Sequence, residues 1–129
     1  MKIIYCHTRK SEYFIPEYQY ATDIRCAAKG GITVAMEAIQ SWLLDTLEMG
    51  NTIERKIGIA RCSDEDNYCK KTGRQIAQSR LKSKTLKVVN KVKIADFIIM
   101  FFEDSDGNLF EFKKSKDPYC AQLIRILND

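Results

Sequence analysis

Residues 53–81 read IERKIGIARCSDEDNYCKKTGRQIAQSRL, and the fold class turns on how this stretch divides. Its first part places Ile53, Ile57 and Ile59 among polar or small residues, the alternation of a half-buried strand. Ser63 and, three residues on, Asp66 then have the spacing of a capping box, so the sequence predicts a helix starting at Asp64. Asp64, Glu65 and Asp66 in that first turn would oppose the positive end of the helix dipole.

At about 100° per residue, Cys69, Thr72, Gly73, Ile76, Ala77 and Leu81 gather on one side of this helix. Lys71, Gln75, Gln78 and Lys82 gather on the other, the pattern of an amphipathic helix laid on a sheet. Gly73 falls within the apolar arc, where it costs about 1 kcal/mol of helix propensity relative to alanine, which points to a close approach by another group. Arg80 points almost the same way and must meet an anion or carry its guanidinium to the rim of the core. Lys70 and Arg74 border the same arc. Two explanations stand side by side, with a protein interface as a third. In the first, an acidic residue of the sheet pairs with Arg80, and Gly73 serves helix packing. In the second, Arg80, Arg74, Lys70 and Gly73 frame a site for a bound phosphate or carboxylate.

The 129 residues suit one domain, 1–129, with a single core. Hydrophobic residues at 45% and charged residues at 29% match an ordinary globular chain and exclude a disordered one. Neither a signal peptide nor an apolar run near twenty residues is visible, so no membrane association and a cytoplasmic location are expected. Cys6, Cys26, Cys62, Cys69 and Cys120 form no C-x-x-C pair, and His7 is the one histidine. The expectation is free thiols with no metal site and no cofactor. A net charge of +4 permits an anionic partner without demanding one.

Residues 2–8 (KIIYCHT) read as a strand. Residues 12–16 are expected to continue the pairing after a polar turn, and residues 18–26 alternate as an antiparallel strand. Cys6 and His7 are adjacent and so point to opposite faces, which rules them out as nucleophile and base for each other and favours a buried structural thiol. Lys29, Gly30 and Gly31 then precede Ile32, Ala35, Met36, Ile39, Trp42, Leu43, Thr46 and Leu47, spaced by threes and fours. That periodicity predicts a helix ending at Gly50, with Trp42 in its core stripe. A helix entered from Lys29, Gly30 and Gly31 offers a weaker anion site, although the residues of a phosphate loop are missing.

Arg80, Lys82, Lys84, Lys87, Lys91 and Lys93 concentrate positive charge over residues 79–93. Without interleaved aromatics this favours a solvated face, and leaves nucleic-acid binding open through backbone phosphates. Residues 97–102 (FIIMFF) read as a central strand, or as one with a face at an oligomer contact. Residues 103–108 turn the chain into residues 109–112, a hairpin whose Asp106-Gly107 fits turn chemistry better than a calcium loop. Asp117 and Pro118 predict a short last helix buried along Tyr119, Leu123, Ile126 and Leu127. The fold class expected is α+β: an antiparallel or mixed sheet with two main helices and a short C-terminal helix packed on it.

Ala60-Arg61-Cys62-Ser63-Asp64-Glu65-Asp66-Asn67-Tyr68, followed by Gly73-Arg74-Gln75-Ile76-Ala77 and Arg80-Leu81, resembles a strand–turn–helix signature of small proteins encoded by phages and other mobile elements. The pattern runs C-x-x-x-D-x-[FY] and then G-x-x-[IL]-A-x-x-R, and covers about a sixth of this chain. Some such proteins act against host defence. The resemblance implies a non-catalytic counter-defence protein in a host cytoplasm that sequesters an anionic, nucleotide-like ligand through Arg80, Arg74, Lys70 and Gly73. The alternative is an inhibitor that binds a host enzyme or defence complex through the basic face and the hairpin of residues 97–112. A site shared between two copies, in a homo-oligomer, is compatible with so small a chain. No catalytic set is legible, since one histidine and a cluster of helix-start carboxylates provide no nucleophile and base.

Overall fold

The computed structural model describes residues 2–8, 29–67 and 69–127. The strands expected over residues 12–16 and 18–26 lie outside them. Among the described residues, seven strands form one sheet in sequential order, each antiparallel to the next. They are β1 (Ile3–Thr8), β2 (Lys29–Glu37), β3 (Thr52–Asn67), β4 (Lys82–Ile94), β5 (Phe97–Glu103), β6 (Leu109–Lys113) and β7 (Gln122–Leu127). Two helices accompany them: α1 (Ser41–Thr46) and α2 (Lys70–Ser79). The α+β class and the antiparallel sheet are therefore present, and the described residues are mostly sheet. No described helix is long and apolar enough to cross a membrane.

The sheet curls until β1 and β7 meet, where the Cys6 thiol donates to the Ile124 carbonyl at 3.6 Å. Val34, Met36, Ile57, Leu86, Val88, Ile98, Met100, Phe102, Phe110, Phe112 and Ile126 fill the inside of this curl. Phe102 and Phe112 cross edge to face with centroids 5.6 Å apart, the arrangement that ring quadrupoles favour. Ile39 and Leu44 bring α1 into the same core, and the Lys91 ammonium donates to the carbonyls of Asp45 and Leu47 at the end of that helix. A second, smaller cluster of Ala35, Ala60 and Ala77 lies outside the curl, where α2 covers β2 and β3.

Three of the expected helices are corrected by the ladder. The residues expected as a helix ending at Gly50 form β2 and only then the short α1, because Val34 and Met36 face the core while Thr33 and Ala35 face α2. A strand covered on both faces loses its polar alternation, and its buried run imitates a helix. Trp42, expected in a core stripe, is half exposed. The helix expected from Asp64 starts at Lys70 instead, with Cys69 at its N-cap, while residues 63–67 continue β3 as far as the Lys29–Asn67 pair. A cap contributes about 1 kcal/mol, too little on its own to start a helix there. The short C-terminal helix is absent: Asp117 instead receives the Tyr119 amide in a side-chain-closed turn, and residues 122–127 pair with β6. Leu123 and Ile126 are both buried three residues apart because the register with β6 slips around Ile124, so a bulged strand shows helical spacing.

Two other expectations are met. Residues 2–8 contain β1 with Cys6 buried, and residues 97–112 form the β5–β6 hairpin. The β4–β5 turn holds an unexpected feature, since Ala95 has φ +53. That left-handed conformation costs an L residue about 1 kcal/mol and a glycine nothing. Ala95→Gly is expected to stabilise the protein by about 0.5 kcal/mol, after the greater freedom of glycine in the unfolded chain is subtracted. A urea midpoint that falls in this variant would show that the turn relaxes instead.

Candidate functional site: a basic cleft where two strands part

β3 and β4 are staggered. Their pairing runs from Thr52–Lys87 to Ile57–Lys82, and beyond Ile57 β3 continues beside β2 alone. Lys82 and Lys84 share the face of β4 that carries Leu86, so the strand delivers two ammonium groups to the mouth of the core. The chain enters β4 from α2 through Arg80, the C-cap residue of that helix. Its Nη1 donates to the Ile59 carbonyl at 3.0 Å, a backbone acceptor on the part of β3 that β4 leaves uncovered. Arg80, Lys82 and Lys84 thus rim an open cleft of about 330 Å³ floored by Ile57 and Ile59.

Lys84 ties the cleft to a closed polar network beside it. The Asp104 carboxylate, with no exposed side-chain surface, accepts the Asp106 and Asn108 amides at 2.9 Å and the Asn108 side-chain amide at 2.8 Å. Lys84 Nζ lies 3.4 Å from Asp104 and 3.5 Å from Asp106. Arg61, on the same face of β3 as Ile57 and Ile59, donates to Asn108 Oδ1 at 2.9 Å. Burial alone would push the Asp104 carboxyl up, but the side-chain and backbone hydrogen bonds of Asn108, the Lys84 charge and the Asp106 amide hold it below its ordinary value. Asp104 is thus a committed anion, and Lys84 is largely neutralised by it. Among the described side chains, neither Arg80 nor Lys82 has a carboxylate partner.

The four residues singled out from the sequence do not converge. Gly73 is a packing glycine: a Cβ there would strike the Thr33 side chain of β2. Arg74 and Lys70 are exposed on α2, and at 1.5 Å of rise per residue they begin about 9 and about 15 Å along the axis from Arg80. Arg80 itself sits at the exposed helix end, not in the buried arc, of which Ala77 alone is fully buried. Lys29, Gly30 and Gly31 open β2, so no helix N-terminus stands behind them. Lys82 and Lys84 escape the sequence reading as site residues, and their signal is the alternation in KSKTLKVV, which puts both on the face of Leu86 and Val88.

Comparison of the chain with family models, with curated proteins and with solved structures gives no match. The chemistry of the cleft is then the ground for its function. Two cations without carboxylate partners among the described side chains, a third held by acids and an apolar floor can bind an anion that also has an apolar part. Among the described residues, no group of three histidine, cysteine or acidic side chains is placed to hold a metal ion.

Proposed function

We propose that the protein is a non-catalytic binder of an anionic, nucleotide-like small molecule. The observation that carries this reading is the convergence of Arg80, Lys82 and Lys84 on a cleft with the apolar floor of Ile57 and Ile59. A phosphate would take the guanidinium fork of Arg80 and the ammonium of Lys82, charge-assisted bonds that are stronger than neutral ones. A base or sugar would rest on the two isoleucines. In the setting implied by the phage-like signature, such binding sequesters a host signalling nucleotide, and affinity alone suffices.

The test is a thermal-shift panel of linear and cyclic nucleotides. A ligand at a hundredfold excess over its Kd adds about 2.7 kcal/mol of stability, enough to move the melting temperature by several degrees. That shift is expected to vanish in Arg80→Ala and to remain in Arg74→Ala. No shift with any nucleotide, or an equal shift in Arg80→Ala, rejects the site.

One observation favours a second reading, an inhibitor that docks on a host protein. The outer face of the β4–β5 hairpin exposes Val92, Ile94 and Phe97, with Ile94 67% exposed, and Lys113 lies over the Phe97 ring at 5.1 Å. Apolar surface of this kind with a basic edge suits a partner surface. The same panel separates the two readings, because a protein inhibitor gives no nucleotide shift and instead loses its partner in Ile94→Ser or Phe97→Ser.

A further inference from the structure

We infer that the cleft takes a nucleotide with a single phosphoryl group and discriminates against polyphosphates, with Asp106 setting that limit. This inference rests on the nucleotide-binding reading of the same cleft and narrows its ligand class.

Charge matching is the first argument. Arg80 and Lys82 supply two positive charges without carboxylate partners among the described side chains. A phosphomonoester carries about −1.5 to −2 at pH 7 and is neutralised by two such cations. Lys84 adds little, because it already stands 3.4 Å from the buried Asp104 and 3.5 Å from Asp106. Each further phosphoryl group adds negative charge for which the cleft lining offers only Lys84, already paired with two carboxylates.

Size is the second. A cleft of about 330 Å³ is near the lower end of ligand pockets, which begin at about 300 Å³. It has room for one base, one sugar and one phosphate. Asp106 is the adjustable partner of Lys84: its side chain is 65% exposed, whereas Asp104 has no exposed side-chain surface and closes the turn. Removing the Asp106 charge therefore takes one of the two carboxylates from Lys84, leaving Asp104 in place, without opening the network. Asp106 is a specificity-determining residue that acts through Lys84.

The experiment is equilibrium titration of the full chain, in magnesium-free buffer, with the 5′-mono-, di- and triphosphates and the 3′,5′-cyclic monophosphates of the four common ribonucleosides. For whichever base binds, the one-phosphoryl forms are expected to bind about tenfold tighter than the triphosphate, given the cost of placing like charges together. Asp106→Asn is expected to tighten triphosphate binding by roughly two- to fivefold, the size of an exposed ion-pair coupling, while one-phosphoryl binding changes by less than that. Asp106→Ser should behave in the same way, which excludes an effect of the new amide. Triphosphate binding as tight as monophosphate binding in the wild type overturns the inference while leaving the nucleotide reading in place. So does a preference that both Asp106 variants preserve in full. Absence of binding by every nucleotide overturns both.

Discussion

Asp104→Ala is expected to lower the stability of the protein by about 3 kcal/mol, which for a chain of this size is roughly 10 °C in melting temperature. The carboxylate accepts two backbone amides and the Asn108 amide, has no exposed side-chain surface, and is the buried partner of Lys84. Truncation leaves these donors without their acceptor and Lys84 without its buried partner. The effect has a pH signature with a definite sign. The Asp104 carboxyl is held below its ordinary value in the folded state, so its contribution is complete above the unfolded value of about 3.9 and disappears as the pH falls through the lower folded-state value. Denaturation of the wild type and of Asp104→Asn at a series of pH values should show a stability gap that is constant near neutrality and closes below about pH 4. A gap that persists unchanged in acid would show that Asp104 acts through shape and not through its charge.

Gly58→Ala should cost about 3 kcal/mol as well, at the upper end of overpacking effects, for a different reason. A methyl group on Gly58 would collide with the Ala77 carbonyl oxygen and stand 2.9 Å from the Leu81 nitrogen. Both obstacles are backbone, so no side-chain rotation relieves them. The end of α2 must lift from β3 or the strand must bend. Because Arg80 leaves the helix at this point, the same substitution is expected to move its guanidinium off the Ile59 carbonyl and to weaken nucleotide binding together with stability. Chemical denaturation and titration of this single variant measure both. Gly50→Ala provides the contrast, since a methyl group on Gly50 would meet no atom within 4 Å and the residue is constrained only by its φ of +90.

The glycines also show how much of the fold is legible in the sequence. Gly73 announces a close approach by lying in an apolar helical arc, and the structure supplies the neighbour, Thr33. Gly58 gives no such notice, because a glycine among isoleucines in a strand has no periodic anomaly to betray it. The β5–β6 hairpin is legible because its turn chemistry and apolar run are local. β2 is not, since its helix-like spacing arises from burial on two faces, one of them supplied by α2 about forty residues later. β7 is hidden by the slip at Ile124. Arg80 is recognisable as unusual, but its direction depends on where α2 stops. With the helix shortened to Lys70–Ser79, Arg80 becomes its C-cap residue and faces the cleft mouth. Lys82 and Lys84 resemble part of a solvated basic run until the segment is read as strand β4, whose alternation puts them on the face of Leu86.

An odd number of antiparallel strands leaves the two outermost running in the same direction, and here β1 and β7 come together where Cys6 reaches the Ile124 carbonyl. Among the described residues, the sheet is thus joined at its margins without being sealed by a ladder. Unsatisfied strand margins are the templates on which separate chains stack into fibrils, and a sheet whose two margins meet offers less of that template to its neighbours in solution.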